Sequence, residues 1–205
     1  MGVTAICVGP LQVNCYLLAN GLIVDPGDEP ETILARIEHE HCTPRAIALT
    51  HAHVDHIRAA GPIARKYGIP VLLHPADFPL YHSPMNALPP WVPAAADLPD
   101  PRDIRTFEWT AFGAEILETP GHSPGSVCIH FPEAHVLFSG DTLFAGSIGR
   151  TDLPGGNLQQ LRASILGKLY RLPPETRVFP GHGPATRIDR EMQENPFVPA
   201  QEQTP

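Results

Sequence analysis

With 205 residues, 42% of them hydrophobic and 18% charged, the chain carries enough apolar material for one globular domain and too little charge for a disordered one. Its 14 basic against 22 acidic residues leave a formal charge of -8, which excludes the basic footprint of a nucleic-acid binder or of a protein that docks on anionic membrane. No apolar run reaches the ~18 residues that cross a bilayer, so a small molecule is the expected partner of a single domain spanning residues 1–205.

Elements follow in chain order. The opening MGVTAICVGPLQVNCYLLANG lacks a basic start and a continuous apolar run and breaks at Gly9-Pro10, so it reads as strands rather than a signal peptide, which places the protein in the cytoplasm. GLIVDPG is a short apolar run ended by a turn. PETILARIEHEH has a proline start and helical apolar spacing at Ile33, Leu34 and Ile37, and AIALT is a buried strand. After the polar stretch THAHVDHIRAA, PIARKYG predicts a helix with Pro62 in its first turn and Gly68 as its stop, followed by the strand IPVLLH. Residues 74–103 are proline-rich and predict a long irregular excursion of the kind that carries function.

The second half repeats the mode. AEILETPGH, SVCIHF and HVLFSGD predict strands, NLQQLRASILGKLYRL an amphipathic helix capped near Asn157, and TRVFPGHG a last strand. Residues 189–205 read as a polar, proline-rich tail with a frayed end. Two βαβ-like halves with apolar strands predict an α/β protein whose sheets lie sandwiched between helices. The cysteines Cys7, Cys15, Cys42 and Cys128 show no C-x-x-C spacing and read as small buried hydrophobes of a reducing compartment.

Polar residues recur where apolar strands end. AIALT runs into His51, AEILETPG into His122, HVLFSG into Asp141 and TRVFPG into His182, three of the four through a glycine that lets the backbone turn. Strand ends in α/β layers face a common crevice, so these side chains can converge. His51 and His53 point the same way only in an extended or turning segment, and Asp55 and His56 follow at once. This spacing suits two adjacent metal ions: a His-x-His pair with a third histidine for one, an Asp-His pair with another histidine for the second, and Asp141 able to bridge both. Imidazole and carboxylate ligands suit Zn2+, and also Fe or Mn. His39, His41, His130 and His135 read as surface or capping residues, His74 and His82 as residues near the proline-rich loop for which substrate contact is the lesser alternative, and Asp25 as a turn or supporting residue rather than a ligand.

These residues resemble the signature of the metallo-β-lactamase superfamily, H-x-H-x-D-H followed by a distant His, Asp and His, over roughly residues 11–197. The resemblance implies an αββα sandwich with a dinuclear site at one edge. In it His51, His53 and His122 would hold one ion, Asp55, His56 and His182 the second, with Asp141 between them. GDTLFAGSIGRTDLPGG and FPGHGPATRIDREMQENPF are similar to the glyoxalase II branch, and to its short single-domain members. That implies hydrolysis of small S-acyl thioesters such as S-D-lactoylglutathione to D-lactate and glutathione, by hydroxide formed at the two ions. Asp55 would be catalytic, steering that water, and Arg150 would contact the glutathione.

Two departures stand out. Only 205 - 182 = 23 residues follow His182, too few for the helical domain that grips glutathione in two-domain members, and Arg58 occupies a position where the family often has glycine. The alternative expectation is a glutathione persulfide (sulfur) dioxygenase with one iron held by two histidines and an aspartate.

Overall fold

The computed structural model describes residues 2–199. The chain divides into two compact units between Glu108 and Trp109. The first contains β1 (Val3–Val8), β2 (Val13–Leu18), β3 (Leu22–Val24), α1 (Pro30–His39), β4 (Ala46–Ala48), α2 (Val54–Ile57), α3 (Ala60–Tyr67), β5 (Val71–Leu73), α4 (Phe78–Tyr81) and β6 (Arg102–Asp103). Its sheet runs in the order β1-β2-β3-β4-β5-β6. The first three strands are antiparallel, and β3 to β6 are parallel.

The parallel strands LIV, AIA and VLL are buried at every position, as continuous apolar runs demand. Ile33 and Ile37, one turn apart on α1, and Ile63 on α3 close over Ile23, Ile47, Val71 and Leu73 in one core. Each such side chain, fully buried, contributes about 1.5–3 kcal/mol. The predicted stop of α3 is met where Gly68 takes the left-handed conformation at φ 65°.

The second unit contains β7 (Glu115–Glu118), β8 (Val127–Phe131), β9 (Val136–Gly140), β10 (Leu143–Phe144), β11 (Ser147–Ile148), α5 (Leu158–Gly167), β12 (Arg177–Pro180), β13 (Thr186–Arg187) and α6 (Ile188–Glu194). Its main sheet has the order β13-β12-β9-β8-β7, with β9 and β12 parallel, while β10 and β11 form a separate hairpin. The Asn157 side chain caps α5 by accepting from the Gln160 N–H at 3.0 Å, and Leu161 and Ile165 pack with Leu137, Val178 and Ile188.

Two expectations need correction. Residues 189–199 are not a polar tail: α6 occupies most of them, and Glu191, Asn195 and Val198 are buried. The reason is long-range, because Glu191 accepts hydrogen bonds from Gly146 N, Asn195 Nδ2 and Thr186 Oγ1. The expected frayed end, 200–205, lies outside the described residues. Residues 74–103 are irregular over most of their length, with short elements at both ends. Pro75–Asp77 form a 3-10 turn, Pro79 sits near the start of α4 where its missing N–H is harmless, and β6 pairs with β5. Of the cysteines, Cys15 and Cys128 are buried as expected, but Cys7 is exposed on the edge strand β1. Among the described residues, no helix is long and apolar enough to cross a membrane.

Candidate metal centre

In the first unit β4 is flanked by two parallel neighbours, so β3, β4 and β5 all end on one edge of the sheet. The chain leaves β4 through Leu49 and Thr50 into His51, Ala52 and His53. His53 keeps an extended backbone, φ -61° and ψ 142°, as the N-cap of α2, which carries Asp55 and His56 in one helical turn. The His51 ring centroid lies 4.7 Å from that of His53 and 4.2 Å from that of His56, and His56 Nε2 lies 3.8 Å from Asp55 Oδ2. The extended His-x-His segment read from the spacing is therefore present.

Asp25 leaves β3 beside this loop and is 1% exposed. Its Oδ1 accepts from the Thr50 N–H at 2.7 Å, and its Oδ2 accepts from the Thr50 hydroxyl at 2.6 Å. His56 Nδ1 lies 3.1 Å from the same Oδ2, and His51 Nδ1 lies 3.0 Å from Thr50 Oγ1. A carboxylate only accepts, and the Thr50 proton is committed to it. Both imidazoles must then donate from Nδ1, which makes Nε2 the nitrogen that could meet a cation. One buried carboxylate thus sets the tautomer of two histidines. Asp25 thus orients its neighbours, and one of its carboxylate oxygens also lies within 4.8 Å of a ligand atom of His51 and of His56, so these three could themselves hold a cation.

The β5 side holds the same loop by its backbone. Asp77 Oδ2 accepts from Ala52 N at 3.0 Å, and Asn86 Nδ2 donates to Ala52 O at 2.7 Å. The peptide groups between His51 and His53 are pinned in both directions by buried side chains. On the far side of α2, the Arg58 N–H donates to Gly27 O at 2.9 Å and its guanidinium pairs with Asp28. A Cβ on Gly27 would stand 2.2 Å from the Asp55 carbonyl, so only glycine lets this turn approach. The arginine at position 58 is absorbed without touching a candidate ligand.

In the second unit, Asp141 and His182 extend from the parallel neighbours β9 and β12. Gly140 and Pro180 are register partners, and Gly181 N donates to Gly140 O at 2.8 Å, which brings the two following residues to one edge. Asp141 Oδ2 lies 3.6 Å from His122 Nε2 and 3.6 Å from His182 Nε2. This is longer than a hydrogen bond and close to the roughly 3.4 Å between donors that share a tetrahedral ion at about 2.1 Å. His122 Nδ1 donates to the Arg150 carbonyl at 2.8 Å, which again directs Nε2 inward. Gly149 permits the approach of that segment, since a Cβ there would fall 1.9 Å from the Asp141 carbonyl.

The Arg150 side chain points elsewhere. It clasps Asp152 through Nε at 2.8 Å and Nη2 at 2.6 Å, both partners more than half exposed. The guanidinium hydrogen bond holds the Asp152 carboxyl down at about 2. Its carbonyl role at His122 has no signal in the sequence. Nor does that of Asn86, whereas Asp77 stands four residues after β5, where a strand-end carboxylate could have been suspected.

Of the remaining histidines, His39 and His135 are exposed, and His135 caps a 3-10 turn, as expected. His130 is a correction. It is 4% exposed, with Nδ1 2.7 Å from Glu115, its cross-strand partner. His74 is buried and accepts from Ala76 N within its own turn, while His82 lies 3.6 Å from Asp100. Cys15, near Asp25, is no nucleophile, because burial and then the Asp25 charge push its thiol far up.

A family model described as the Metallo-beta-lactamase superfamily matches residues 8–182. The "Probable metallo-hydrolase YqgX" of Bacillus subtilis is 42% identical over 93% of this chain and 94% of that protein. The "Hydroxyacylglutathione hydrolase GloC" of Haemophilus influenzae is 36% identical over 97% of this chain and 98% of that protein. Among solved structures, the BLEG-1 B3 metallo-beta-lactamase superposes with a TM-score of 0.89 at 40% identity, covering 96% of this chain and 99% of that one. TTHA1623 in a di-iron-bound form gives 0.85 at 45% identity, covering 96% and 100%.

Proposed function

This chain belongs to the metallo-β-lactamase superfamily and has its α/β fold, and on that premise we propose that it is a cytoplasmic hydrolase of small S-acyl thioesters of the hydroxyacylglutathione kind. The observation that carries the reading is Asp141 Oδ2 standing 3.6 Å from each of two imidazole nitrogens, one of them oriented by the Arg150 carbonyl. The family pattern assigns His51, His53 and His122 to one divalent ion and Asp55, His56 and His182 to the other, with Asp141 shared. Donors of this type fit Zn2+, and the di-iron form of the 45% identical TTHA1623 keeps iron beside it.

When bound, two such ions supply Lewis acidity to a carbonyl and lower the pKa of a water towards ~7. The chain's own residues do the rest. Asp55 can accept a hydrogen bond from that water and steer its lone pair at the acyl carbon. Asp25 and the Arg150 carbonyl keep His51, His56 and His122 in the tautomers that present Nε2. As the water oxygen bonds to the acyl carbon the C–S bond breaks; one of the two water protons ends on the departing sulfur and the other is released to solvent, yielding a thiol and a carboxylate, and the low pKa of the thiol spares the chain a strong general acid. No serine or cysteine nucleophile enters.

Arg150 is assigned to a carboxylate of glutathione, for which it would exchange Asp152. Arg150→Ala should then raise KM for a glutathione thioester several-fold with kcat little changed, a loss worth about 1 kcal/mol for so exposed a contact. Unchanged steady-state kinetics would leave Arg150 as the surface partner of Asp152 alone.

The decisive experiment is strictly anaerobic turnover of S-D-lactoylglutathione by metal-loaded protein, read as free thiol, with and without a chelator. Thiol release that the chelator abolishes is the expected result, because hydrolysis requires no electron transfer. Oxygen uptake on glutathione persulfide, with iron as the sole metal and no anaerobic cleavage, would move the assignment to the dioxygenase. The 40% identity to BLEG-1 favours β-lactam hydrolysis as a second reading, so a β-lactam belongs in the same panel.

A further inference from the structure

The β10–β11 hairpin begins two residues after Asp141, and it and the two residues after it touch three candidate ligands of the second unit. Phe144 sets its ring against the His182 imidazole in a T-shaped contact, 6.3 Å between centroids and 63° between planes. Gly149 lies so close to the Asp141 carbonyl that a Cβ would strike it, and the Arg150 carbonyl accepts from His122 Nδ1 at 2.8 Å. The seat of this hairpin therefore decides how His122, Asp141 and His182 face one another.

The hairpin cannot hold that seat by itself. Its strands have two residues each, and its turn has positive φ at Gly146 alone, 69°, and not at Ala145, whereas the turns that match strand twist need it at the first position. Ser139 Oγ donates to Leu143 O at 2.8 Å and secures the base. The tip is secured from α6. Glu191 Oε2 accepts from Gly146 N at 2.9 Å and Asn195 Nδ2 donates to Ser147 O at 3.0 Å, so an N–H and a carbonyl of adjacent residues are both gripped. Asn195 Nδ2 also donates to Glu191 Oε2 at 2.8 Å, and Thr186 Oγ1 donates to Glu191 Oε1. Glu191 is 1% exposed and Asn195 2%. A carboxylate is costly to bury, and a helix serving only to cover the hairpin would do so better with apolar side chains.

We propose that Glu191 and Asn195 are positioning residues of the metal centre: α6 clamps the tip of the β10–β11 hairpin, and through Phe144 and the backbone of residues 149–150 the clamp fixes His182, Asp141 and His122 for a cation. This inference rests on the metal-centre reading above and not on the thioester.

The test is Co2+ binding to metal-free protein, read by competition with a chelator and by the visible d–d absorption of the bound ion, at a temperature where every variant is folded. Glu191→Ala and Asn195→Ala should each weaken binding by about tenfold, the lower end of what outer partners of ligands are worth, and should change the absorption envelope. Phe144→Leu should do the same with both anchors intact. Glu191→Gln should keep near wild-type affinity, because its amide oxygen can still accept from Gly146 and Asn195 while its NH2 meets the Thr186 hydroxyl. Tyr170→Phe is the stability control. It removes the 2.9 Å bond from the Tyr170 hydroxyl to the Glu191 carbonyl on the same helix and spares the clamp, so it should lower the melting temperature without changing affinity or spectrum. Wild-type affinity and spectrum in folded Asn195→Ala and Phe144→Leu, or a loss in Tyr170→Phe as large as in Glu191→Ala, would overturn the clamp and leave the metal centre standing. Failure of wild type to take up Co2+ would overturn the metal-centre reading, and the clamp with it.

Discussion

Asp141→Asn is expected to lower kcat/KM for a thioester by about 10^3-fold and to reduce bound metal at both positions together. Loss of a residue that only orients a ligand already costs 10–100-fold in affinity or activity, and Asp141 is assigned as a ligand to two ions. The amide keeps the shape of the side chain. It loses the charge, and it turns one of two acceptor atoms into a donor facing imidazoles whose lone pairs should point at cations. Elemental analysis after gel filtration, with parallel kinetics, reads both effects, and His53→Ala should by contrast empty mainly one position. Full metal content and full activity in Asp141→Asn would make Asp141 a structural residue, and the 3.6 Å spacings to His122 and His182 would need another explanation.

Asp25→Ala should be the most damaging change outside the ligands. It strips the acceptor from the Thr50 N–H, the Thr50 hydroxyl and the His56 imidazole, all buried. Removing one partner from a buried charged network costs about 3–5 kcal/mol, which in a chain of this length lowers the melting temperature by roughly 6–20 °C. The tautomers of His51 and His56 lose their common anchor as well, so a drop of 10–100-fold in metal affinity is expected on top of the lower stability. Measuring chelator competition at a temperature where the variant stays folded separates the two. Asp25→Asn should fall between, since one oxygen remains for the Thr50 N–H while His56 loses its acceptor. Metal affinity equal to wild type in a folded Asp25→Ala variant would refute the orienting role.

The elements that could be read from the chain are those whose signal is local. Apolar runs of three to five residues bounded by turn residues became β3, β4, β5, β8 and β9. Proline at the start and glycine at the stop marked α1 and α3, and Asn157 marked α5. The candidate ligands were legible for a related reason. Polar residues repeated at strand ends, together with His-x-His spacing that only an extended backbone can use, are statements about neighbours in sequence, and parallel strands then bring their ends to one edge.

Of what supports those ligands only Asp25 was legible, and not its partners, because the support is made of contacts between residues that sequence keeps apart. Asp25 meets Thr50 across 25 residues and His56 across 31, Asp77 meets Ala52 across 25, Asn86 meets Ala52 across 34, and the Arg150 carbonyl meets His122 across 28. The burial of His130 and the helix α6 were hidden in the same way. A polar side chain reads as surface until a strand partner such as Glu115, or a backbone N–H such as that of Gly146, satisfies it inside. By itself the sequence determined the strands and helices that carry a local signal and the chemistry of the donor set, since both follow from residue type and spacing. Only the tertiary structure decided which nitrogen of each oriented imidazole is available and which peptides are held still, because a buried hydrogen bond is specified by two distant residues at once.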